Sequence, residues 1–439
     1  MRNRILIVIA VLASGLSGWL PAQAKELKEL KVLYVGSERP EQFLPFLKQH
    51  VAQVQSRNRS GFVPADAAAF DVVLLDWPQS GEISEMRKLK SPLGRREDWN
   101  KPTVLLGSAG LNLAVSWKLK GGSGCTCMSP LAYDLRPHEI FEKPFVIDRS
   151  KSVQIPTPPD FKEEIKAAKI EVLPLVVDYQ QQNRYPGWCS YSYDFAKNPD
   201  VEFFCGGVNH KTPTAAGLWR QGNLLHFGFQ ESPAEMSESG QYLLLNAIAY
   251  ISRFTEDRPI ATTPSVFAGP VARSRASILR YLRNPEYKFE WVKENVTPAL
   301  WAKFESLGRE KAADWVEQNG KFLHPDANQQ LEMDKDLEAF GIAFDQKEFL
   351  FKAVADLRNG GPVANRAERL LHRYAPCGPA QAHPDAWTAW LNENEPYLFA
   401  SDSGDYCWYV DSLAKKRGVP SSELRGPRRA DSSDAVAKK

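Results

Sequence analysis

The feature that most constrains this fold is the stretch of residues 222–254, where a strand-length apolar run is followed by a turn and a helical pattern. The run, residues 224–229, is bounded by polar turn residues. After the turn, apolar residues between positions 244 and 251 recur at the spacing of one helix face. A hydroxyl from Ser237 or Ser239 can cap the helix by accepting backbone N–H groups. The stretch predicts the closing strand, loop and helix of an α/β sheet.

Further strands are predicted where short apolar runs end in Gly, Asp or Pro. Residues 43–54 carry helical spacing between the first two of these runs. Strands that alternate with helical segments indicate a mostly parallel, flavodoxin-like sheet with helices on both faces. Residues 121–159 break the pattern with Gly, Pro and Cys, and predict a loop excursion over the sheet. The runs predicted as strands before the last one are residues 30–35, 70–75, 102–106 and 170–177.

The 439 residues leave room for more than one domain. An α/β domain is predicted over residues 25–255, and a proline-rich linker over residues 256–277. Residues 278–415 suit a helical domain, for which Trp291, Trp301 and Trp315 are candidate core residues. The Pro, Ser, Arg and Ala composition of residues 416–439 predicts a disordered tail.

The first 24 residues have the pattern of a secretory signal peptide. Arg2 and Arg4 precede an apolar core, residues 5–12, and Ala22-Gln23-Ala24 forms a small-x-small cleavage site. The alternative is an uncleaved membrane anchor. The peptide predicts an exported protein, periplasmic or secreted, with no stable membrane span after cleavage.

Charge and histidine spacing argue against two classes of function. The chain has 55 Lys and Arg against 53 Asp and Glu, so no global positive field favours a nucleic-acid partner. No pair of its seven histidines has the spacing of metal ligands. We therefore expect neither a metal nor another cofactor.

Six cysteines in an exported chain predict disulfides. We expect a Cys377–Cys407 bond, because both residues belong to the same C-terminal region. The sequence Cys125-Thr126-Cys127 also permits a redox-active thiol pair, although structural disulfides are commoner in exported proteins. The other four cysteines are Cys125, Cys127, Cys189 and Cys205. They can pair in three ways, which the sequence does not distinguish.

Candidate site residues follow from the rule that ligands bind outside the carboxyl ends of parallel strands. Asp76 ends the second strand, although Asp before a Trp-Pro pair also forms ordinary turns. His226 approaches the end of the last strand, where a role as a hydrogen-bonded sheet histidine is the alternative. Gln230, Glu231 and Ser232 lie just beyond it. Aromatic residues with carboxylates between positions 189 and 205, Asp194 among them, suit either sugar recognition or a disulfide-closed hairpin.

Two stretches resemble the class I glutamine amidotransferase-like superfamily: residues 101–114 (KPTVLLGSAGLNLA) and residues 228–246 (GFQESPAEMSESGQYLLLN). The family places a nucleophilic cysteine at the sharp turn of the first stretch and a histidine in the second. Here Ser108 stands at the turn and Ser232 replaces the histidine. A thiolate nucleophile needs its sulfur and a neighbouring base, so glutamine hydrolysis is not expected. The resemblance leaves Ser108, Asn112, Gln230 and Ser232 as ligand-binding candidates.

A closer resemblance is to the trehalose-utilisation, ThuA-like family of the same fold. It is carried by residues 216–229 (AGLWRQGNLLHFGF), a Trp/Arg hairpin followed by the last strand, and extends over residues 30–254. This resemblance implies action on a sugar or sugar derivative. The C-terminal residues 387–430 resemble uncharacterised secreted planctomycete proteins, which implies a bacterial source and no chemistry.

Three functions remain open from the sequence. The first is a binding or assembly module on a catalytically degenerate scaffold, engaging a carbohydrate, another small molecule or a protein partner. The second is a sugar-modifying enzyme in which Asp76, His226 and Glu231 converge. The third is a thiol-redox protein that uses Cys125 and Cys127. Convergence of the candidate residues in one pocket would favour the enzyme, and a pocket filled by side chains would favour the module.

Overall fold

The computed structural model describes most of the chain outside its two ends. The predicted signal peptide, Asp194 and most of the predicted tail lie outside the described residues, as does the middle of the predicted linker. In the part of the chain that is described, no helix is long and apolar enough to cross a membrane. The described residues are 25–78, 90–119, 124–161, 164–180, 187–191, 195, 200–209, 211–255, 258–260, 271–402, 404–418 and 420.

A mixed sheet of 11 strands organises the first half of the described chain. Its strands, in chain order, are β1 (Lys31–Val35), β2 (Gln53–Arg57), β3 (Val72–Trp77), β4 (Thr103–Gly107), β5 (Gly124–Tyr133), β6 (Val153–Pro156), β7 (Lys169–Pro174), β8 (Gly187–Tyr191), β9 (Val201–Asn209), β10 (Ala215–Gln221) and β11 (Leu224–Phe227).

The sheet has a parallel half and an antiparallel half. The parallel half has the order β2-β1-β3-β4-β11, with every neighbouring pair parallel. Beyond β11 the order continues β10-β8-β5-β7-β6, and β9 pairs with both β10 and β5, all antiparallel. The parallel half confirms the predicted flavodoxin-like α/β architecture, and four of its five strands coincide with predicted runs.

The antiparallel half was mispredicted in part. Residues 121–159, predicted as a loop excursion, contain the ten-residue strand β5, which lies inside the sheet, and the shorter strand β6. Gly207 of the neighbouring strand β9 leaves room for the side chain of Met128 in β5. A Cβ at Gly207 would lie 2.3 Å from the Met128 sulfur. The prediction failed because close packing against glycine, rather than an apolar run, holds this strand in place.

Three helices position the site residues around the parallel half: α1 (Pro40–Leu47), α2 (Ala109–Ser116) and α3 (Glu238–Ile251). Helices α1 and α3 pack on the face that carries Leu74 and Leu106. Helix α2 packs on the opposite face, with Leu75 and Leu105. Ser237 caps α3 by accepting the Gly240 N–H at 3.2 Å, as predicted. The helix predicted over residues 43–54 ends at Leu47, and its last part begins β2.

The C-terminal region is mainly helical and has its own hydrophobic core. Arg280 joins it to the sheet region by contacting the Glu164 carboxylate and, at 2.6 Å, the Thr212 hydroxyl. The predicted boundary at residues 256–277 lies partly outside the described residues and stays a prediction. The elements of this region are α4 (Arg275–Arg283), α5 (Pro298–Leu307), α6 (Arg309–Asn319), β12 (Leu323–Pro325), β13 (Leu331–Met333), α7 (Lys335–Phe340), α8 (Lys347–Asp356), α9 (Gly361–Tyr374), α10 (Pro384–Asn394), β14 (Leu398–Ser401), β15 (Cys407–Val410) and α11 (Ser412–Arg417).

The three tryptophans proposed as core residues of this region differ in their burial. Trp301 is buried and Trp315 packs partly buried against the core. Trp291 is 47% exposed, so its prediction was wrong. It belongs to a short 3-10 helix, Phe289–Asn295, whose buried residue is Val292.

Candidate functional site

Asp76 lies at the carboxyl end of β3, and its side chain is fully buried. Two neighbours donate hydrogen bonds to the carboxylate. The Tyr34 hydroxyl lies 2.5 Å from Oδ2, while Arg39 places Nε 3.0 Å from Oδ2 and Nη2 2.5 Å from Oδ1. This fork-to-carboxylate geometry is the strongest ordinary pairing available to a buried carboxylate. Tyr34 and Arg39 therefore hold the Asp76 carboxylate, which was predicted to contact a ligand.

Arg39 also connects Asp76 to the end of the neighbouring parallel strands. It precedes α1 directly, and its Nη1 donates to the Gln230 carbonyl oxygen at 2.5 Å, just beyond β11. Its guanidinium carbon lies 5.1 Å from the centre of the Phe43 ring. The Arg39 side chain thus spans the edge at which a ligand was expected.

The Asp76 carboxylate raises the pKa of both Tyr34 and Arg39. Burial raises the pKa of Tyr34, and the nearby Asp76 carboxylate raises it further, so the phenol stays a neutral hydrogen-bond donor. Burial acts to lower the pKa of Arg39, but the hydrogen bond and charge of Asp76 outweigh it and the pKa rises. Arg39 therefore stays a cation and Tyr34 stays protonated near neutral pH.

Arg59 fixes the same strand end from the outside. Its Nη1 donates to the backbone oxygen of Asp76 at 2.9 Å, and its guanidinium lies 4.3 Å from the centre of the Trp77 ring. It also binds both carboxylate oxygens of Glu38. Burial acts to raise the pKa of Glu38, but the Arg59 pair lowers it overall. The end of β3 is therefore held on its backbone as well as on its carboxylate.

The sharp turn implied by the amidotransferase-like resemblance is present between β4 and α2. Gly107 has a φ of +52°, and a Cβ there would lie 2.9 Å from the Gln230 side-chain oxygen, so glycine is required by both backbone and space. Ser108 follows at the start of α2 and is 1% exposed. Its hydroxyl has no hydrogen-bond partner among the described residues. Within the described part of the chain, no base therefore lies within hydrogen-bond distance of this hydroxyl.

The loop after β11 is closed upon itself. Glu231 is buried, and its Oε2 accepts the Gln230 backbone N–H at 3.1 Å. Ser232 donates its backbone N–H and its hydroxyl to Glu235, both at 3.0 Å. Asn112 is buried within α2. Glu231, Ser232 and Asn112 therefore lie inside the fold, whereas Gln230 is half-buried and Glu235 is exposed.

His226 lies on the other face of the sheet, beneath α2. Its imidazole is fully buried and stacks on Trp219, with ring centres 3.6 Å apart and an interplanar angle of 9°. The Trp188 ring lies 5.4 Å away, and a Cβ on Gly110 would lie 2.9 Å from Nδ1. Neither ring nitrogen has a hydrogen-bond partner among the described residues. Burial lowers the pKa of His226 well below its ordinary value, so the ring is neutral.

The structure thus separates the candidate catalytic residues. Asp76 and the loop containing Gln230 and Glu231 meet through Arg39 at the carboxyl edge. His226 does not join them, because alternation along a strand places it on the opposite face. The predicted convergence of Asp76, His226 and Glu231 in one pocket is not present in this arrangement.

Among the described residues, four cysteines form no disulfide bond: Cys189, Cys205, Cys377 and Cys407. The predicted Cys377–Cys407 disulfide is therefore wrong for this structure. The Cys377 thiol instead donates to the Trp408 backbone oxygen at 3.4 Å. Burial, and then the nearby Asp134 charge, raise the pKa of Cys205, which keeps it an unreactive thiol.

The Cys125–Cys127 segment begins β5. The side chain of Cys125 lies outside the described residues, and Cys127 is disulfide-bonded. The proposed thiol-redox role stays a prediction. Across the described ranges, no group of three or more His, Cys, Asp or Glu side chains could hold a metal ion.

Sequence reasoning missed the residues that close the site, although signals for them exist. Arg39 follows the end of the first strand, so the rule that selected Asp76 also applies to it. Trp219 is predictable too, because a tight turn at Gly222 and Asn223 pairs it directly with His226. No comparable local signal marks Tyr34, whose partner is 42 residues away.

The strand order and the strand-end residues together define an α/β protein of flavodoxin-like fold with a closed strand-end cluster. No protein-family model and no curated protein sequence matches the chain. The chain is similar in structure to a GMP synthase-like protein from Thermoplasma acidophilum, with 10% identity and a TM-score of 0.31. That similarity covers 51% of this chain and 94% of the other.

A second solved structure, a ThuA-like protein from Bacteroides uniformis, is similar with 14% identity and a TM-score of 0.29. It matches over 53% of this chain and 95% of its own. The fold assignment rests on the strand order and register described above, and the function is argued from the site.

Proposed function

We propose that this protein is an exported binding or assembly module built on a catalytically degenerate amidotransferase-like domain. The observation that carries the proposal is the closure of the strand-end cluster by Arg39. Its guanidinium is bound to both Asp76 oxygens and to the Gln230 carbonyl. A substrate that used Asp76 would have to displace an ion pair whose acidic partner is fully buried.

The turn residue supports the same proposal. A serine nucleophile requires a base within hydrogen-bond reach, about 2.6–3.2 Å. Among the residues that the structure describes, the Ser108 hydroxyl has no such partner, and the neutral His226 is stacked against Trp219. The group that replaces the family's cysteine thus lacks the activation that acyl transfer needs.

A carbohydrate is the ligand class that we propose, since the resemblance to sugar-utilising ThuA-like proteins motivates it. Export rests on the signal-peptide pattern of residues 1–24. A protein partner is the other candidate ligand for a module of this kind.

A thermal-shift screen of residues 25–439 against sugars, sugar acids and divalent metals tests the proposal. A ligand that binds only the folded state raises the melting temperature by mass action. We expect a sugar to raise it without being consumed. Turnover of a sugar that is lost in both Asp76→Asn and His226→Leu would overturn the module and establish the sugar-modifying alternative.

A further inference from the structure

A cavity of about 560 Å³ opens near the amino-terminal ends of the parallel strands, whereas Asp76 lies at their carboxyl ends. The segment before β1, the loop after α1, the Lys143–Phe145 loop and the end of α3 line it. Its volume lies within the range typical of small-molecule sites, about 300–1,000 Å³. None of the residues considered above as site candidates lines it.

One wall of this cavity is apolar and preformed. The Phe145 ring stacks on Tyr242, with centres 4.6 Å apart and an interplanar angle of 10°. Asn246 binds both the backbone N–H and the backbone oxygen of Phe145, at 2.9 and 2.7 Å. The Tyr250 ring is held by its hydroxyl, which donates to Glu202 at 2.8 Å. The apolar surface is therefore fixed before any ligand arrives, which reduces the entropic cost of binding.

The rim of the same cavity is positively charged. Four cationic side chains and two carboxylates line it, which leaves a formal excess of two positive charges with His50 neutral. Burial, and then the Lys28 charge, lower the pKa of His50 and keep it neutral. Two of the cations already have partners, since Lys25 pairs with Asp71 and Arg253 with Glu139.

The other two cations are available to a ligand. Lys28 and Lys143 are exposed and form no ion pair within the described part of the chain. A flexible ammonium group on an apolar stem can reach an anion at the rim while the rest of the ligand packs below. The cavity therefore offers an apolar floor and two unengaged positive charges.

We propose that this cavity binds an amphipathic carboxylate, with the carboxylate at Lys28 and Lys143 and the apolar part against Phe145, Tyr250 and Ala249. The site is separate from the strand-end cluster and does not depend on the function proposed for it. Sulfate or phosphate would satisfy the two lysines alone, and an uncharged amphiphile would satisfy the apolar wall alone.

Isothermal titration calorimetry with decanoate tests the proposal. Acetate, which lacks the apolar chain, and octyl glucoside, which lacks the charge, are the comparison probes. We expect decanoate to bind, and Lys28→Ala/Lys143→Ala to weaken its binding about tenfold or more, because each lost contact is a charge-assisted one. Ala249→Leu fills the apolar part without changing the charge and is expected to weaken binding by about tenfold too.

A second cavity supplies the matched control. It has a volume of about 660 Å³ and is lined by Lys90, Arg95, Arg96 and Lys118, with Trp117 as its aromatic residue. Lys90→Ala/Arg95→Ala removes the same charge as the test variant and is expected to change decanoate affinity by less than about twofold. Equal melting temperatures of the two double variants show that both stay folded.

Three results would overturn the proposal. The first is the absence of decanoate binding to the wild-type protein. The second is equal weakening by the two double variants, which would indicate attraction by net charge alone. The third is binding of acetate or octyl glucoside as tight as that of decanoate.

Discussion

Asp76 and His226 are both fully buried in the parallel half of the sheet, yet they differ in their hydrogen-bond partners. Asp76 receives hydrogen bonds from Tyr34 and from both ends of the Arg39 fork. Neither nitrogen of His226 has a hydrogen-bond partner in the described part of the chain, and the ring contacts aromatic rings instead. One face of the sheet therefore buries a carboxylate with its partners, whereas the other buries an imidazole with stacking alone.

The difference follows from the cost of removing each group from water. An ionised carboxylate cannot be buried without a partner, because its desolvation costs several kcal/mol. An imidazole avoids that cost by losing its proton, as the lowered pKa of His226 indicates. Asp76 is thus bound by Tyr34 and Arg39, and His226 is enclosed by aromatic rings.

The largest expected effect is that of Arg39→Met. This change leaves the Asp76 carboxylate buried without its cation, and loss of one partner of a buried pair costs about 3–5 kcal/mol. Urea unfolding followed by circular dichroism measures the free energy of unfolding.

Arg59→Met is the matched control for that change. Arg59 contacts the Asp76 backbone and a partly exposed Glu38, so its loss is expected to cost only about 1 kcal/mol. If the two variants lose the same stability, the Arg39–Asp76 pair has no special role in the fold.

A smaller loss is expected from Tyr34→Phe, which removes one hydrogen bond to the buried carboxylate. Such a bond to a charged group contributes about 1.5–3 kcal/mol. Tyr242→Phe is the control, because the Tyr242 hydroxyl donates to the carboxylate of Glu238 at an exposed site. The same unfolding experiment should show less than about 0.5 kcal/mol of change for that control. A Tyr34→Phe variant as stable as the control would contradict the description of the cluster.

The pH dependence of stability tests the other face. The pKa of His226 is lower in the folded than in the unfolded protein. Its contribution to the free energy of unfolding is therefore fully present above pH about 6.5 and is lost as the pH falls. Between pH 7 and pH 5 we expect the wild-type protein to lose stability through this residue. His226→Leu should flatten the slope of unfolding free energy against pH over the same range.

Other buried histidines add to the wild-type slope, so the comparison between variants isolates His226. Burial, and then the Arg373 charge, lower the pKa of His324 to about 4, and this contribution is common to both proteins. His372→Leu, at an exposed position, serves as the control. Identical slopes for His226→Leu and the wild-type protein would mean that the imidazole is not sealed as described.

The smallest effect is expected for Ser108→Ala. Because the buried hydroxyl has no hydrogen-bond partner among the described residues, its removal should change the unfolding free energy by less than about 0.5 kcal/mol. A loss above about 1 kcal/mol would reveal a hydrogen bond that the hydroxyl makes in solution.

Four of the five parallel strands could be predicted because each is a short apolar run with a polar end. The fifth, β2, is mostly polar and was missed. β3 and β4 are buried along their whole length, and their mostly apolar sequences predict this burial. β5 and β9 are different, since their places depend on glycines that let neighbouring strands approach Met128. Such packing is a property of paired strands and has no signature within either one.

The site could be predicted only as a location. Asp76 and Gln230 were placed correctly at the carboxyl edge, because strand ends follow from the sheet itself. Arg39 occupies the carboxyl edge of the parallel strands because of the direction in which the loop after β1 leaves the sheet. The sequence does not indicate that direction. The three-dimensional path of that loop decides whether the edge is an open site or an internal ion pair.

The measurement that tests the central claim most directly is a double-mutant cycle between Arg39 and Asp76. The free energy of unfolding is measured for the wild-type protein, Arg39→Met, Asp76→Asn and the double variant. A closed cluster predicts strong coupling, with the double variant more stable than the sum of the single losses by about 2 kcal/mol or more. Losses that add to within about 0.5 kcal/mol would contradict the account, because Arg39 would then not close the edge and Asp76 would be open to a ligand.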